Sequence, residues 1–111
     1  METIHWNDFS KIDMRVGTII EVLDFPEARK PAFRLLVDFG KEIGILKSSA
    51  QITTKYEKTA LIGKQVIAVV NFPEKQIANF MSQCLVLGAV DTNDVILIQP
   101  ERNVENGLKI G

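Results

Sequence analysis

The side chains able to do chemistry fall into two groups. Lys30, Arg34 and Lys47 stand in the first half of the chain; Asn71, Lys75, Gln76 and Ser82 follow in the second, with Phe33, Phe72 and Phe80 interleaved. Cations beside aromatic rings hold single-stranded nucleic acid by phosphate contact and base stacking. The same set holds an extended peptide through apolar pockets and polar side chains. Phe33 opens an apolar run and is expected in the core, whereas Phe72 and Phe80 bracket a polar loop, where packing and ligand contact fit equally. Catalysis is not signalled. A nucleophile needs a neighbouring base; the one histidine, His5, lies in the N-terminal lead-in and the one cysteine, Cys84, lies in an apolar run. One Cys and one His do not make a zinc site, and no GxGxxG or GxxxxGKS/T phosphate cradle is present. The expected chemistry is recognition, with no catalytic residue, metal or cofactor.

These groups need a scaffold. Residues 65–90 read QVIAVVNF, PEKQIANFMS and QCLVLGAV, two apolar runs around a polar insert. Runs of this length, rich in Val and Ile, read as strands. Being apolar on both faces, they belong in the middle of the fold. Upstream, Met14–Phe25 alternates as a long strand, with Val16, Thr18, Ile20 and Val22 on one side and Gly17, Ile19 and Leu23 on the other. Gly17 predicts a bend, bulge or close backbone approach there. Pro26–Pro31 is a polar break, Ala32–Phe39 a second strand, Gly40–Glu42 a turn, and Ile43–Leu46 the start of a third strand that runs into Lys47–Ala50. Ile52, Tyr56, Ala60 and Leu61 recur at helical spacing, with Gly63 as a stop. After the two apolar runs come a turn at Asp91–Asp94, a short strand at Val95–Gln99, and a tail with a turn signal at Asn106-Gly107.

Three strands, a helical crossing and two more strands is the connectivity of an OB-fold, a five-stranded Greek-key barrel. The predicted fold is all-β with a short helix between strands 3 and 4. A chain of 111 residues suits one domain, here 1–111 with a core of about 13–90 and extensions at 1–12 and 91–111. The lead-in carries Ile4, Trp6, Phe9 and Ile12 near helical period, and Asn7 or Asp8 could cap a single turn. Its aromatics dock on the domain's own core or on a second subunit.

The formal net charge is −1, but it is uneven. Residues 27–58 hold seven bases and four acids, a balance of +3; residues 91–111 hold four acids and two bases, a balance of −2. No apolar run approaches the ~20 residues of a membrane span, so membrane insertion is not expected. The N-terminus has no secretory pattern. With one cysteine, expected to be buried as a small hydrophobe, a cytoplasmic setting is expected.

Several motifs resemble the tRNA-binding domain family, OB-fold modules found free in bacteria and appended to some tRNA synthetases. They are Asp13-Met14-Arg15-Val16-Gly17, Val37-Asp38-Phe39-Gly40, Ser48, Val69-Val70-Asn71-Phe72, and Ser82 before Leu85-Val86-Leu87-Gly88. Within that family, Pro26–Ala32, Ser48–Thr53, Asn71-Phe72-Pro73 and Gln76–Phe80 are similar to a branch of small export-related chaperones. That resemblance implies a homodimer joined through the two extensions, with Trp6, Phe9, Val104, Leu108 and Ile110 at the interface. It implies binding of unfolded preproteins or extended peptides for the Sec export route, contact with Sec components, and tRNA as a partner at the family level. The site it implies pairs Asn71, Phe72, Lys75, Gln76, Phe80 and Ser82 with Lys30, Arg34, Lys47, Ser48, Ser49 and Gln51. Gly44 stands where the family usually has an Arg. Loss of that bidentate phosphate contact shifts the expectation from tRNA toward polypeptide.

Overall fold

The computed structural model describes residues 1–92 and 94–111. The chain runs α1 (Trp6–Ser10), β1 (Met14–Asp24), β2 (Phe33–Asp38), β3 (Ile45–Ala50), α2 (Lys58–Leu61), β4 (Gln65–Val69), β5 (Lys75–Ile77), β6 (Phe80–Ser82), β7 (Leu85–Val86), β8 (Gly88–Asp91) and β9 (Asp94–Leu97). One antiparallel sheet has the order β3-β2-β1-β4-β7. It curls into a nearly closed five-stranded barrel, the OB-fold expected from the connectivity. Gln83 closes the barrel: its N–H donates to the Lys47 carbonyl (2.7 Å), and the Lys47 N–H donates to its Oε1 (3.0 Å). The short helix lies between the third and fourth strands as predicted, with Leu61 fully buried.

β1 is the spine. Its first half pairs with β4 and its second half with β2. The register steps from Ile19↔Val37 to Glu21↔Leu36, so Ile20 is an extra residue. A bulge of this kind inverts the alternation. Ile19 and Val22 both join the core cluster while Ile20 is exposed, so the phase expected through Asp24 holds only to the bulge. Gly17 is a close approach: a Cβ there would lie 2.6 Å from Val37 Cγ1 and 2.7 Å from Phe39 Cε1. The cluster itself is built from Ile19, Leu35, Val37, Phe39, Leu61 and Val66, with Phe33 in it as expected.

The second apolar run departs from expectation. Only Leu85 and Val86 pair with β4, and Leu85 is 48% exposed. The chain then leaves the barrel as the β8–β9 hairpin, in which Gly88 faces Leu97 and Asp91 faces Asp94. β8 thus finds its partner locally rather than in the barrel. The turn expected at Asp91–Asp94 includes Asn93, which lies outside the described residues.

The tail docks on β1, while the lead-in is held at its end by Asn71, beyond β4. The tail runs beside Met14–Val16, with Val16 N–H to Leu108 O (3.0 Å), Gly107 N–H to Val16 O (2.7 Å) and Ile110 N–H to Met14 O (2.9 Å). Gly107 has φ +92 and its Cβ position is 2.6 Å from Phe39 O, so no other residue fits this turn. Val16 and Val69 are buried outside the core cluster, on the opposite face of β1 and β4, and the tail bonds to the main chain of Val16. In α1 the cap is His5, not Asn7 or Asp8: Asp8 Oδ2 accepts the His5 N–H at 2.9 Å. No helix among the described residues is long and apolar enough to cross a membrane.

Candidate polypeptide or nucleic-acid binding cleft

The polar insert is a hairpin rather than a loop. β5 pairs with β6 across the two-residue turn Ala78-Asn79, with Ile77 opposite Phe80 and Lys75 opposite Ser82. Ala78 adopts φ +52, a left-handed conformation that costs an L-residue roughly 1 kcal/mol. The hairpin lies along the free edge of β3, where the Ser49 N–H donates to Ser82 Oγ (3.3 Å) and the Gln83 N–H to Lys47 O (2.7 Å). Phe80 is what braces it: its ring meets Phe25 edge-on at 5.4 Å, and Lys47 Nζ lies 5.4 Å from the ring centroid. Arg34 continues the stack, 5.5 Å from the Phe25 ring, while its Nε donates to Asp24 O. A cation over an aromatic face is worth about 0.5–1 kcal/mol at an exposed site. Arg34, Lys47 and Phe80 therefore set the hairpin's position.

Beneath the hairpin opens a cleft of about 950 Å³. Phe72, Pro73, Ile77, Leu85, Val86 and Val90 make its apolar walls. Of the predicted residues, Ser49, Gln51, Phe72, Lys75, Gln76 and Ser82 line it. A smaller hollow of about 270 Å³ adjoins it across Ser49, Gln51 and Ile77, and Lys30 lines that part with Arg29. Phe72 is 55% exposed.

Two predicted residues are placed elsewhere. Asn71 uses its amide to hold the lead-in, accepting from Asp13 N–H (3.0 Å) and donating to Lys11 O (2.7 Å). Ser48 points into the barrel, fully buried, and its hydroxyl donates to Cys84 O (3.0 Å). Burial pushes the Cys84 thiol up to about 11, with the nearby Ser48 hydroxyl pulling the other way. Gly44 does not line the cleft. It has φ +85 in the turn after β2, where Phe39 N–H donates to its carbonyl.

The sequence reading missed Gln83, which ties the cleft wall to the barrel and donates from Nε2 to Glu74 Oε2 (2.8 Å). A polar residue inside an otherwise apolar run was the available signal. It also missed the walls contributed by Leu85–Leu87 and Val90, because those residues were assigned to the core.

The barrel defines an OB-fold module. The family model described as "Putative tRNA binding domain" matches residues 14–109, and the chain belongs to that family. Over its full length it is similar to two solved CsaA chaperones. The structure from Bacillus anthracis str. Ames has 49% identity and a TM-score of 0.94, covering 99% of this chain and 100% of that one. The structure from Picrophilus torridus has 57% identity and a TM-score of 0.92, covering 98% and 100%. A methionine–tRNA ligase from Pyrococcus horikoshii is 39% identical over 110 residues, 99% of this chain but 15% of that enzyme. The chain thus spans a small part of the curated ligases it matches.

Proposed function

We propose that this chain is a non-catalytic, homodimeric chaperone of the cytoplasm that binds unfolded preproteins or extended peptides for Sec-dependent secretion. The observation that carries the reading is the lining of the cleft. Its walls are apolar, and only Glu74 and Lys75 among the lining residues are charged. A nucleic-acid groove needs cations along the backbone path, whereas a polypeptide gains most from apolar burial, at about 25 cal/mol per Å². Phe72, Lys75, Gln76, Ser82, Ser49 and Gln51 would touch the chain. Lys30 would act at the neighbouring hollow, and Arg34, Lys47 and Phe80 would hold the hairpin. The dimer reading draws support from side chains with nothing to cover them. Trp6 is 72% exposed although it stacks on Phe9 at 5.4 Å, and Leu108 is 47% exposed. Val104 and Ile110, half-buried on the tail, would complete that interface.

The test is suppression of client aggregation followed by light scattering. Phe72→Ala should weaken protection without changing the fold or the subunit mass. Equal protection by wild type and variant refutes the assignment of the cleft.

A second reading, tRNA binding, draws support from the family and from Arg34 and Lys47 on the outer face of β2 and β3. It requires an affinity that falls with salt by nearly one log unit of slope per phosphate contact. Competition between tRNA and an unfolded preprotein separates the two readings.

A further inference from the structure

We propose that the cleft holds polypeptide by strand addition, with an extended segment hydrogen-bonded through its main chain to the free edge of β5 at Gln76. The inference rests on the polypeptide reading above and specifies how the chain is gripped.

The edge follows from the register. Ile77 and Phe80 flank a two-residue turn. In such hairpins the flanking pair exchanges both main-chain bonds, and the next pair faces outward. Gln76 and Met81 are that next pair. β6 is the strand beside the barrel, since the Ser49 N–H donates to Ser82 Oγ (3.3 Å). β5 is therefore the outer strand, and the N–H and C=O of Gln76 point away from the hairpin. Among the described residues, no hydrogen bond outside the β5–β6 ladder reaches the main chain of residues 72–77.

An open edge is a pairing template that proteins normally blunt. Here Pro73 and Lys75 blunt it on one side and the strand is three residues long, which blocks extended edge-to-edge association. One residue's donor and acceptor stay available beside an apolar cleft. The charges of the cleft decide the occupant. Glu74 and Lys75 offset each other, so the lining matches a neutral apolar segment and not a polyanion. Strand addition places alternate side chains of that segment on one face, toward Phe72, Ile77 and Leu85. Main-chain bonds do not depend on side-chain identity, which suits a holder of many clients.

The test uses the full-length protein and a fluorescein-labelled, apolar peptide of about ten residues, followed by anisotropy. The same peptide with its internal amides replaced by esters keeps its side chains and loses its donors. On the protein, Gln76→Pro removes the outward N–H without touching the ladder, and Gln76→Ala keeps it. The expected result is a roughly tenfold weaker Kd for the ester peptide and for Gln76→Pro, with Gln76→Ala, which loses only a side-chain contact and keeps the N–H, weakened clearly less than Gln76→Pro. Ester peptide and Gln76→Pro both binding like the parents would overturn strand addition and leave the chaperone reading standing. If Gln76→Pro fails to fold, the ester peptide alone decides. A changed subunit mass for Gln76→Pro assigns the edge to a subunit contact and also overturns the proposal. Failure of the parent peptide to bind wild type at any concentration removes the chaperone reading, and this inference with it.

Discussion

Replacing Gln65 should release the C-terminal tail. Gln65 is 92% withdrawn from solvent, being 8% exposed, and its amide is fully employed. Nε2 donates to Val104 O (2.7 Å) and to Asn106 Oδ1 (3.2 Å), and Oε1 accepts the Val104 N–H (3.0 Å). Asn106 Oδ1 also accepts from Thr18 Oγ1 at 2.7 Å, so one polar cluster fastens the tail to β1 and β4. Gln65→Met keeps the volume and removes all three bonds. Each neutral bond contributes about 0.5–1.5 kcal/mol net, and a backbone group left buried without a partner costs about 1–3 kcal/mol. The tail can escape the second cost by peeling into water, which caps the total. The expected loss is about 2–3 kcal/mol, or roughly 10 °C in Tm for a domain of this size.

The assay has two parts. Urea unfolding gives the loss, and amide exchange across 104–110 shows whether the tail opens first. Sedimentation over a range of concentrations then asks whether the subunit mass falls, as it must if the tail is part of a dimer contact. Leu108→Ala is the contrast. Leu108 is nearly half exposed in one chain, so its loss should cost a monomer less than ~1 kcal/mol but should weaken a dimer that buries it. A Gln65→Met protein within about 0.5 kcal/mol of wild type, with Val104 still protected, refutes the reasoning.

Two further outcomes follow from the cleft and its floor. Ala78→Gly relieves the left-handed strain at the hairpin tip, partly offset by the freer unfolded chain, and should raise stability by about 0.5–1 kcal/mol in thermal melts. Cys84 titrates near 11 in the folded protein against an ordinary 9.0. The folded state therefore holds its proton more tightly, so stability is full below about pH 9 and falls as pH rises toward 11, by up to about 2–3 kcal/mol. Denaturant melts across that range should show the slope, and Cys84→Ala should flatten it.

The parts of this fold legible in sequence were those set by periodicity and backbone chemistry. β4 is apolar on both faces, and it sits between β1 and β7 with Val66 and Ala68 fully buried. Asn106-Gly107 marked a turn because few residues tolerate that backbone. The helical spacing from Ile52 to Leu61 marked the crossing, although only Lys58–Leu61 is helical. What was hidden is where polar side chains spend their bonds. Asn71 looks like a ligand contact in a polar loop, but its partners lie at Lys11 and Asp13, about sixty residues away. Ser48 and Gln65 are polar and buried for the same reason. A sequence gives the capacity of such groups but not their partners. The exposed walls of the cleft were hidden by the opposite effect: Leu85 and Val90 look like core residues, and an exposed apolar wall uses the same amino acids.

The family resemblance and the ligand question therefore rest on different parts of the molecule. Asp13-Met14-Arg15-Val16-Gly17 is structural throughout. Arg15 Nε bonds Asp13 at 2.6 Å, its Nη1 donates to Gly107 O at 3.0 Å, and Gly17 lies against Val37 and Phe39. These residues fix the barrel and dock the tail, and they say nothing of what is bound. The proposed ligand contacts lie on the hairpin from β5 to β6. It hangs on the barrel through Phe80, Phe25 and Lys47, and its remaining side chains are free to vary without disturbing the core. A basic hairpin on the same anchor would make a groove for a phosphate backbone. The one present here sets Phe72, Pro73 and Ile77 over an apolar floor, with a single cation offset by Glu74. Barrel and anchor are common to both designs, so exchanging residues 72–79, which leaves Asn71, Phe80 and Ser82 in place, should exchange the ligand while leaving stability nearly unchanged.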